Sequence, residues 1–186
     1  MAEVQRLDLA VYAAIAATPT PRLDEALSRL SRAANYSRLS IASAAILSMT
    51  AGSRGRRAAL MGLASVAVTS SVLNLGIKSI VARRRPDRLA QGVPALRQVP
   101  MPTSTSFPSG HAAAAFAFAT GVGQVLPGAG FPLRALAALV AYSRVHTGVH
   151  YPGDVLAGAL LGAAIAQTTT HFLEYRRGVS RIAQRW

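Results

Sequence analysis

Eight residues in three short stretches have the types and spacing to handle a phosphoryl group. The first stretch, NLGIKSIVARRRP at 74–86, carries Lys78 and Arg85. Lys78 is the only lysine among twenty Lys and Arg residues. It sits in an apolar run, where a cation is costly and by default marks function. The plainer reading is a side chain that reaches out to the interface from a helix end. The spacing of Lys78 and Arg85 is about two helical turns, which predicts both on one helix face, with Asn74 one turn earlier. Pro86 then disfavours helix at Arg85 and closes the segment. The second stretch, FPSGHAAAAF, places Ser109, Gly110 and His111 where an apolar helix begins after Pro108. Free backbone N–H groups approached over a glycine suit an anion, and the histidine can carry a proton near neutral pH. Alone, this stretch reads as a capped helix with an incidental histidine. The third, YSRVHTGVHYPGD, supplies Arg144, His150 and Asp154. A last helix starting near Pro152 puts Asp154 in its first turn, where it can turn back onto His150. A carboxylate on one imidazole nitrogen fixes the tautomer and leaves the other nitrogen free as a nucleophile. His146, one turn earlier, is a competing candidate without a carboxylate at matching spacing.

Three cations, a hydroxyl and a helix N-terminus suit a tetrahedral oxyanion; two histidines and an aspartate suit nucleophilic and acid–base work. Phosphoryl transfer asks for little beyond positioning and charge stabilisation. No dense carboxylate cluster suits Mg²⁺ and no His/Asp/Glu set has zinc spacing, so the expectation is a site with neither metal nor cofactor. The chain has no cysteine, which excludes disulfides and thiolate metal sites.

The elements that must position these residues are apolar. Hydrophobic residues make up 51% of the 186-residue chain and charged residues 15%, yet the net charge is +13. The arginines cluster in short segments between long apolar runs, as in a multi-span membrane protein with basic loops. With aromatics at only 6%, the pattern speaks against nucleic-acid binding. Five apolar segments, at about 36–52, 57–82, 109–126, 131–147 and 154–173, predict an all-α integral-membrane bundle of about five transmembrane helices; crossing ~30 Å of hydrocarbon takes ~20 residues. The second and fifth segments reach that length easily, whereas the first and fourth are short. GALLG at 158–162 has the spacing of small residues at close helix contacts and reads as ordinary packing.

Two amphipathic helices are expected before the core. Val4, Leu7, Val11 and Ile15 face away from Glu3, Arg6 and Asp8; Leu23, Leu27 and Leu30 face away from Arg22, Glu25, Arg29 and Arg32. Thr20 is placed to cap the second helix, with Pro21 at its first position. Both read as lying at the membrane surface. A cleaved signal peptide is the alternative for residues 1–17, against which its early acidic residues argue. Residues 83–108, with five prolines and the polar run TSTS, are too polar to span and long enough to carry function. The expected layout is one domain: interfacial helices over 1–35, a transmembrane core over 36–174 and a basic tail over 175–186. The positive-inside rule is nearly balanced once Lys78, Arg85 and Arg144 are set aside as chemistry. The tight hairpin with Arg54, Arg56 and Arg57, together with the basic tail, favours those two in the cytoplasm and the site facing outward.

Taken together, the three stretches resemble the type 2 phosphatidic acid phosphatase (PAP2) superfamily, whose signature is K-x6-R-P, then P-S-G-H, then S-R-x5-H-x3-D. Here these are Lys78-x6-Arg85-Pro86, Pro108-Ser109-Gly110-His111 and Ser143-Arg144-x5-His150-x3-Asp154, in order and with every position matched. The resemblance covers 74–174 firmly and 1–73 only in general layout. It implies a metal-independent helical bundle in which His150 attacks phosphorus to form a phosphohistidine and Asp154 orients His150. His111 would protonate the leaving oxygen and then activate water. Lys78, Arg85, Ser109, the Gly110 backbone and Arg144 would hold phosphate oxygens. Soluble acid phosphatases and vanadium haloperoxidases share this fold, but the apolar spans oppose them. The implied partner is a lipid phosphate in the cell membrane. The small chain has no extra headgroup domain, which favours a polyprenyl carrier (a polyprenyl diphosphate or decaprenyl-phosphoryl-phosphoribose) over phosphatidylglycerophosphate or phosphatidic acid. The reading from another class is a catalytically idle membrane scaffold or transporter subunit. A homodimer is compatible with the sequence, which assigns no oligomeric state.

Overall fold

Glycine and proline punctuation in the sequence becomes the helix boundaries of the computed structural model, which describes residues 2–183. In chain order these are α1 (Ala2–Ala17), α2 (Pro21–Ala33), a 3₁₀ turn at Asn35–Ser37, α3 (Arg38–Thr50) and α4 (Gly52–Ser71). A π-helical stretch (Val72–Ile77) and the short α5 (Lys78–Ile80) continue α4 as one rod, Gly52–Ile80. After a long loop come α6 (Gly110–Val125), α7 (Pro127–His146) and α8 (Pro152–Ala183). The described residues contain helices and loops only. Each expected apolar segment is a helix, but among the described residues only the rod Gly52–Ile80 and Pro152–Arg177 are long and apolar enough to cross a membrane by length and composition. α3 has 13 residues and α6 has 16, about 20 and 24 Å of helix at ~1.5 Å per residue.

α6 is the central helix, packed on α4, α7 and α8. Missing side chains set these contacts. A Cβ on Gly121 would come within 2.6 Å of the Ser65 hydroxyl. On Gly158 and Gly162 it would come within 2.4 and 2.1 Å of the Ser109 and Ala113 carbonyl oxygens. α8 therefore reaches α6 only because both positions are glycine, and the GALLG spacing serves packing within the chain. Under the polar end of the bundle, Tyr12, Val93, Ala112, Ala141, Val145 and Val155 form an apolar cluster that joins α1, the long loop, α6, α7 and α8.

Several expectations about local structure need correction. Lys78 and Arg85 do not share a helix face. Helix ends at Ile80, Val81 is extended, and the chain then turns so that Arg83 bonds both Asp8 and Asp154. The faces of α1 and α2 also differ from the apolar stripes. Val4, Leu7 and Val11 stay exposed, while Asp8 and Tyr12 pack inward; on α2, Leu27 of the stripe is buried, but so are Asp24, Ser28 and Ser31, and Leu23 is half exposed. Polar groups win these inward positions because each finds a partner there. Thr20 is the residue before α2 and Pro21 does open the helix, but the Thr20 hydroxyl donates to Asp24 Oδ1 (2.7 Å) instead of capping. At the other end α8 runs on to Ala183, so most of the expected tail is helical. Arg176 and Arg177 are exposed, whereas the Arg181 side chain and Arg185 lie outside the described residues.

The long loop is tied down at many points. Arg97, 1% exposed, donates to Asp24 Oδ1 (2.8 Å), to the carbonyls of Ile15, Ala16 and Thr18, and to the Thr20 hydroxyl. It thereby satisfies carbonyls that α1 leaves open at its C-terminal end. His146 Nε2 lies 3.0 Å from the same Asp24 oxygen. His146 thus has a carboxylate partner after all, supplied by a distant helix, and belongs to this buried hub.

Candidate active site

The first turn of α8 and the loop before it bring His150 against Asp154. The two are four residues apart, His150 Nδ1 stands 3.5 Å from Asp154 Oδ2, and both side chains are buried. Ser106 stands beside both. Its hydroxyl donates to Asp154 Oδ2 (2.5 Å) and lies 3.4 Å from His150 Nδ1. The Tyr151 amide donates to Asp154 Oδ2 and Arg83 to Asp154 Oδ1 (2.7 Å). This fully bonded carboxylate has one orientation, and the Nδ1 face of His150 is committed to it and to Ser106. The opposite nitrogen, Nε2, faces Arg85 Nη1 at 3.3 Å. Arg85 is held by the carbonyls of Val149 (2.8 Å), Ser104 (2.9 Å) and Thr105 (3.2 Å). Burial, with the positive charge of Arg85, pushes the His150 imidazole down to about 4 against the pull of Asp154, which favours the neutral ring. Burial also opposes the charge on Arg83, but Asp8 and Asp154 outweigh it and raise its pKa.

Ser109 precedes α6 and its amide bonds the Asp154 carbonyl (2.9 Å), which joins the start of α6 to the start of α8. Lys78 reaches the first turn of α6: its ammonium would be 3.4 Å from a Cβ placed on Gly110. His111 Nε2 lies 2.9 Å from Asn35 Oδ1, an acceptor that favours a proton on Nε2. The α2–α3 corner that supplies Asn35 passes through two left-handed residues, Tyr36 (φ 56°) and Ser37 (φ 55°). Strain at non-glycine residues of this kind concentrates at functional sites. Arg144 is 1% exposed and donates to the Ser31 hydroxyl (2.6 Å) and carbonyl, while its Nε has no partner among the described residues. His111 forms the wall between two clefts. One, of about 240 Å³, is shared with Lys78, Gly110 and Tyr36; the other, of about 300 Å³, is shared with Arg144, Asn35 and residues 99–102.

All eight residues named from the sequence therefore gather at one end of the bundle, around the starts of α6 and α8. Sequence reasoning missed Ser106, Arg83, Asp8 and Asn35. The polar run TSTS was the available hint for Ser106; the others reach the site across 71 to 145 residues. Among the described residues, no three His, Cys, Asp or Glu side chains group as metal ligands.

An all-helical bundle with this constellation defines a class of membrane phosphatases. The PAP2 superfamily model matches residues 58–178, and the chain belongs to that superfamily. It is 39% identical over 122 residues to decaprenylphosphoryl-5-phosphoribose phosphatase of Mycobacterium tuberculosis, a stretch covering 65% of this chain and 64% of that protein. It is also 39% identical over 100 residues to an undecaprenyl-diphosphatase of Sulfolobus acidocaldarius, covering 53% and 48% respectively. The match thus spans less than two thirds of the length of these relatives. Two crystal structures share its fold at 26% identity. The transmembrane PAP2-type phosphatidylglycerolphosphate phosphatase of Bacillus subtilis has a TM-score of 0.70, covering 94% of this chain and 88% of its own. LpxE of Aquifex aeolicus has a TM-score of 0.71, covering 88% and 94%.

Proposed function

We propose that this chain is an integral-membrane lipid phosphatase that releases phosphate through a phosphohistidine on His150. The observation that carries the reading is the two-sided environment of the His150 ring. Nδ1 faces Asp154 and Ser106, and Nε2 faces Arg85 Nη1 at 3.3 Å. In the proposed reaction His150 Nε2 forms a bond to phosphorus as the bond to the leaving oxygen breaks. That oxygen takes the Nε2 proton of His111, which acts as an imidazolium and keeps its Nδ1 proton; Asn35 holds the Nε2 proton until the substrate displaces it. Water then attacks the phosphohistidine and gives a proton to His111, which restores both rings. Asp154 stabilises the charge on His150 during attack. Lys78, Arg85, Ser109, the Gly110 amide and Arg144 bind the phosphate oxygens. A compact ammonium fits between α5 and the Gly110 backbone, whereas a planar guanidinium would crowd a pocket that already has two such forks.

The proposed substrate is a phosphomonoester or diphosphate on a polyprenyl carrier, a reading supported by the relatives that act on decaprenylphosphoryl-5-phosphoribose and undecaprenyl diphosphate. The fold match to a phosphatidylglycerolphosphate phosphatase supports a glycerophospholipid as the second reading. The test is phosphate release by purified protein in detergent from a panel of these lipids, with excess EDTA and with orthovanadate. Activity is expected to survive EDTA, because side chains supply every positive charge the mechanism uses. Orthovanadate is expected to inhibit, because its trigonal bipyramid resembles the in-line transition state. Strict dependence on added Mg²⁺ or no release from any of the lipids overturns the reading.

The proposed arrangement is a single domain in the cell membrane, with α1–α2 (1–35) at the interface, a five-span core (36–174) and a basic end (175–186). Exposed Val4, Leu7, Val11 and Leu23 support lipid contact by α1 and α2, and the transmembrane character of the fold relative supports spanning by the shorter helices. The site is placed on the outer face, with Arg54, Arg56 and Arg57 in the cytoplasm. The chain has no cysteine, so single cysteines at Ser53 and Ser104 can be labelled with an impermeant maleimide on intact cells. Labelling at 104 alone is expected; labelling at 53 alone inverts the orientation.

A further inference from the structure

Helix α1 grips the segment that carries His150 at both ends. The Tyr12 hydroxyl donates to the Gly148 carbonyl (3.4 Å), and one turn earlier Asp8 Oδ1 accepts from the Gly153 amide (2.6 Å). Both grips need glycine. A Cβ on Gly148 would come within 2.9 Å of the Tyr12 hydroxyl, and one on Gly153 within 2.9 Å of Asp8 Oδ2. Gly153 lies in the first turn of α8, so Asp8 meets one of the amides that this helix leaves open. The other oxygen of Asp8 accepts from Arg83 Nη2 (2.6 Å), and Arg83 Nη1 donates to Asp154 Oδ1 (2.7 Å). The guanidinium lies over the Tyr151 ring, 4.3 Å from its centroid. A chain of charges thus runs from α1 to the Nδ1 side of His150, and both of its carboxylates are buried, where charge acts more strongly than in water. Asp154 and Arg83 alone would be a neutral pair. Such a pair does little for the positive charge that an imidazole gains on attacking phosphorus. Besides Asp154, the cations Arg85 and Arg144 act on His150, and His111 stands near it as well; the Ser106 hydroxyl and the Tyr151 amide on Asp154 are neutral. Asp8 supplies a second carboxylate and returns the trio to a net negative charge.

We propose that Asp8 and Arg83 are positioning residues for the nucleophile: they clamp the His150 segment to α1 and keep the Asp154 side of the ring net negative. The inference rests on the reading above, in which His150 attacks phosphorus. The helix that exposes Val4, Leu7 and Val11 is thereby part of the frame of the active site.

The test follows phosphate release against pH for wild type, Asp8→Asn, Arg83→Gln and Arg83→Lys, on whichever lipid of the panel above wild type hydrolyses fastest. Asp8→Asn keeps an acceptor for the Gly153 amide and removes the charge. The cations then weigh more on His150 and His111 alike, and the kcat/KM profile is expected to move to lower pH by about half a unit or more. Arg83→Gln removes the cation, and the profile is expected to move to higher pH by about as much. Arg83→Lys keeps the charge but loses the fork that bridges two carboxylates. Its profile is expected to stay within about 0.2 unit of wild type while kcat falls about 10-fold through misplacement. KM is expected to change by less than about threefold in all three, because none of these residues is placed against the phosphate. Opposite shifts are a signature that loosened packing does not produce. Profiles that stay put in both charge-removing variants, or move the same way, overturn the inference and leave the phosphatase reading standing. If Asp8→Asn does not fold, the Arg83 pair decides: a rise for Gln with none for Lys supports the inference, and any other result overturns it. Wild-type inactivity on every lipid removes the phosphatase reading and this inference with it.

Discussion

His150→Ala is expected to abolish phosphate release, with a loss of at least ~10⁴-fold in kcat at saturating substrate. The reason is geometric as well as chemical. Nε2 of His150 is the ring nitrogen facing Arg85 Nη1, and in the proposed reaction no covalent route is left without it. Nucleophile removals in enzymes of comparable logic cost up to ~10⁶-fold, with the residue carried by charge stabilisation and binding alone. His111→Ala should behave differently. Losing a general acid typically costs ~10²–10⁴-fold, so turnover should persist at a low rate. Phosphate release assays on both variants decide the matter. A base-stable, acid-labile label from radiolabelled substrate should appear on wild-type protein and be absent from His150→Ala. If His150→Ala retains activity within tenfold of wild type, the phosphohistidine reading is lost.

Arg97→Ala should be the most destabilising single change in the loop, although Arg97 has no place in the proposed phosphate site. Five acceptors surround its buried guanidinium. Truncation leaves Asp24 buried with only Thr20 and His146, and strands the Ile15, Ala16 and Thr18 carbonyls. Together with His146, Thr20 and Arg97 hold the Asp24 carboxyl below its usual range even though burial alone would raise it. Removing one partner of a buried pair costs about 3–5 kcal/mol, a fall of roughly 6–20 °C in melting temperature for a chain of this size. Thermal unfolding in detergent measures it. Pairing Arg97→Met with Asp24→Leu should recover part of the loss, because it removes the stranded charge as well. A melting temperature within a degree or two of wild type for Arg97→Ala would show that the loop is held by other contacts. Activity should suffer along with stability, since α2 also carries the Ser31 that positions Arg144.

The residues proposed to handle phosphate were visible in the sequence because their spacing is local. His150 and Asp154 meet across one helical turn, and PSGH is a helix start readable from four letters. Helix positions were legible too, since runs of apolar residues end at glycine, proline or arginine. Asp8 shows what was not legible. On α1 it reads as part of the polar face, yet it accepts from the Gly153 amide and from Arg83. No period in the sequence links residue 8 to residue 153. Asp24 and Arg97 met for the same reason, and their pairing puts Asp24 on the buried face of α2 beside Leu27. The Lys78–Arg85 spacing misled in the opposite direction. It fits two helical turns, but the ion pairs of Arg83 are satisfied only if the helix stops at Ile80. Local rules predict what neighbours do; they do not see partners that the fold supplies from elsewhere.

The row Asp154, Gly158, Gly162 and Ala166 runs down the buried side of α8, while Leu156, Leu160 and Phe172 lie on its exposed side. The separation between the start of α8 and the start of α6 is therefore fixed by backbone pressed on backbone, with no adjustable side chain between them. Such a contact is a rigid gauge that cannot be retuned by small substitutions. The outer surface of α8 bears no part of it. Leu156, Leu160 and Phe172 can thus change without moving this contact.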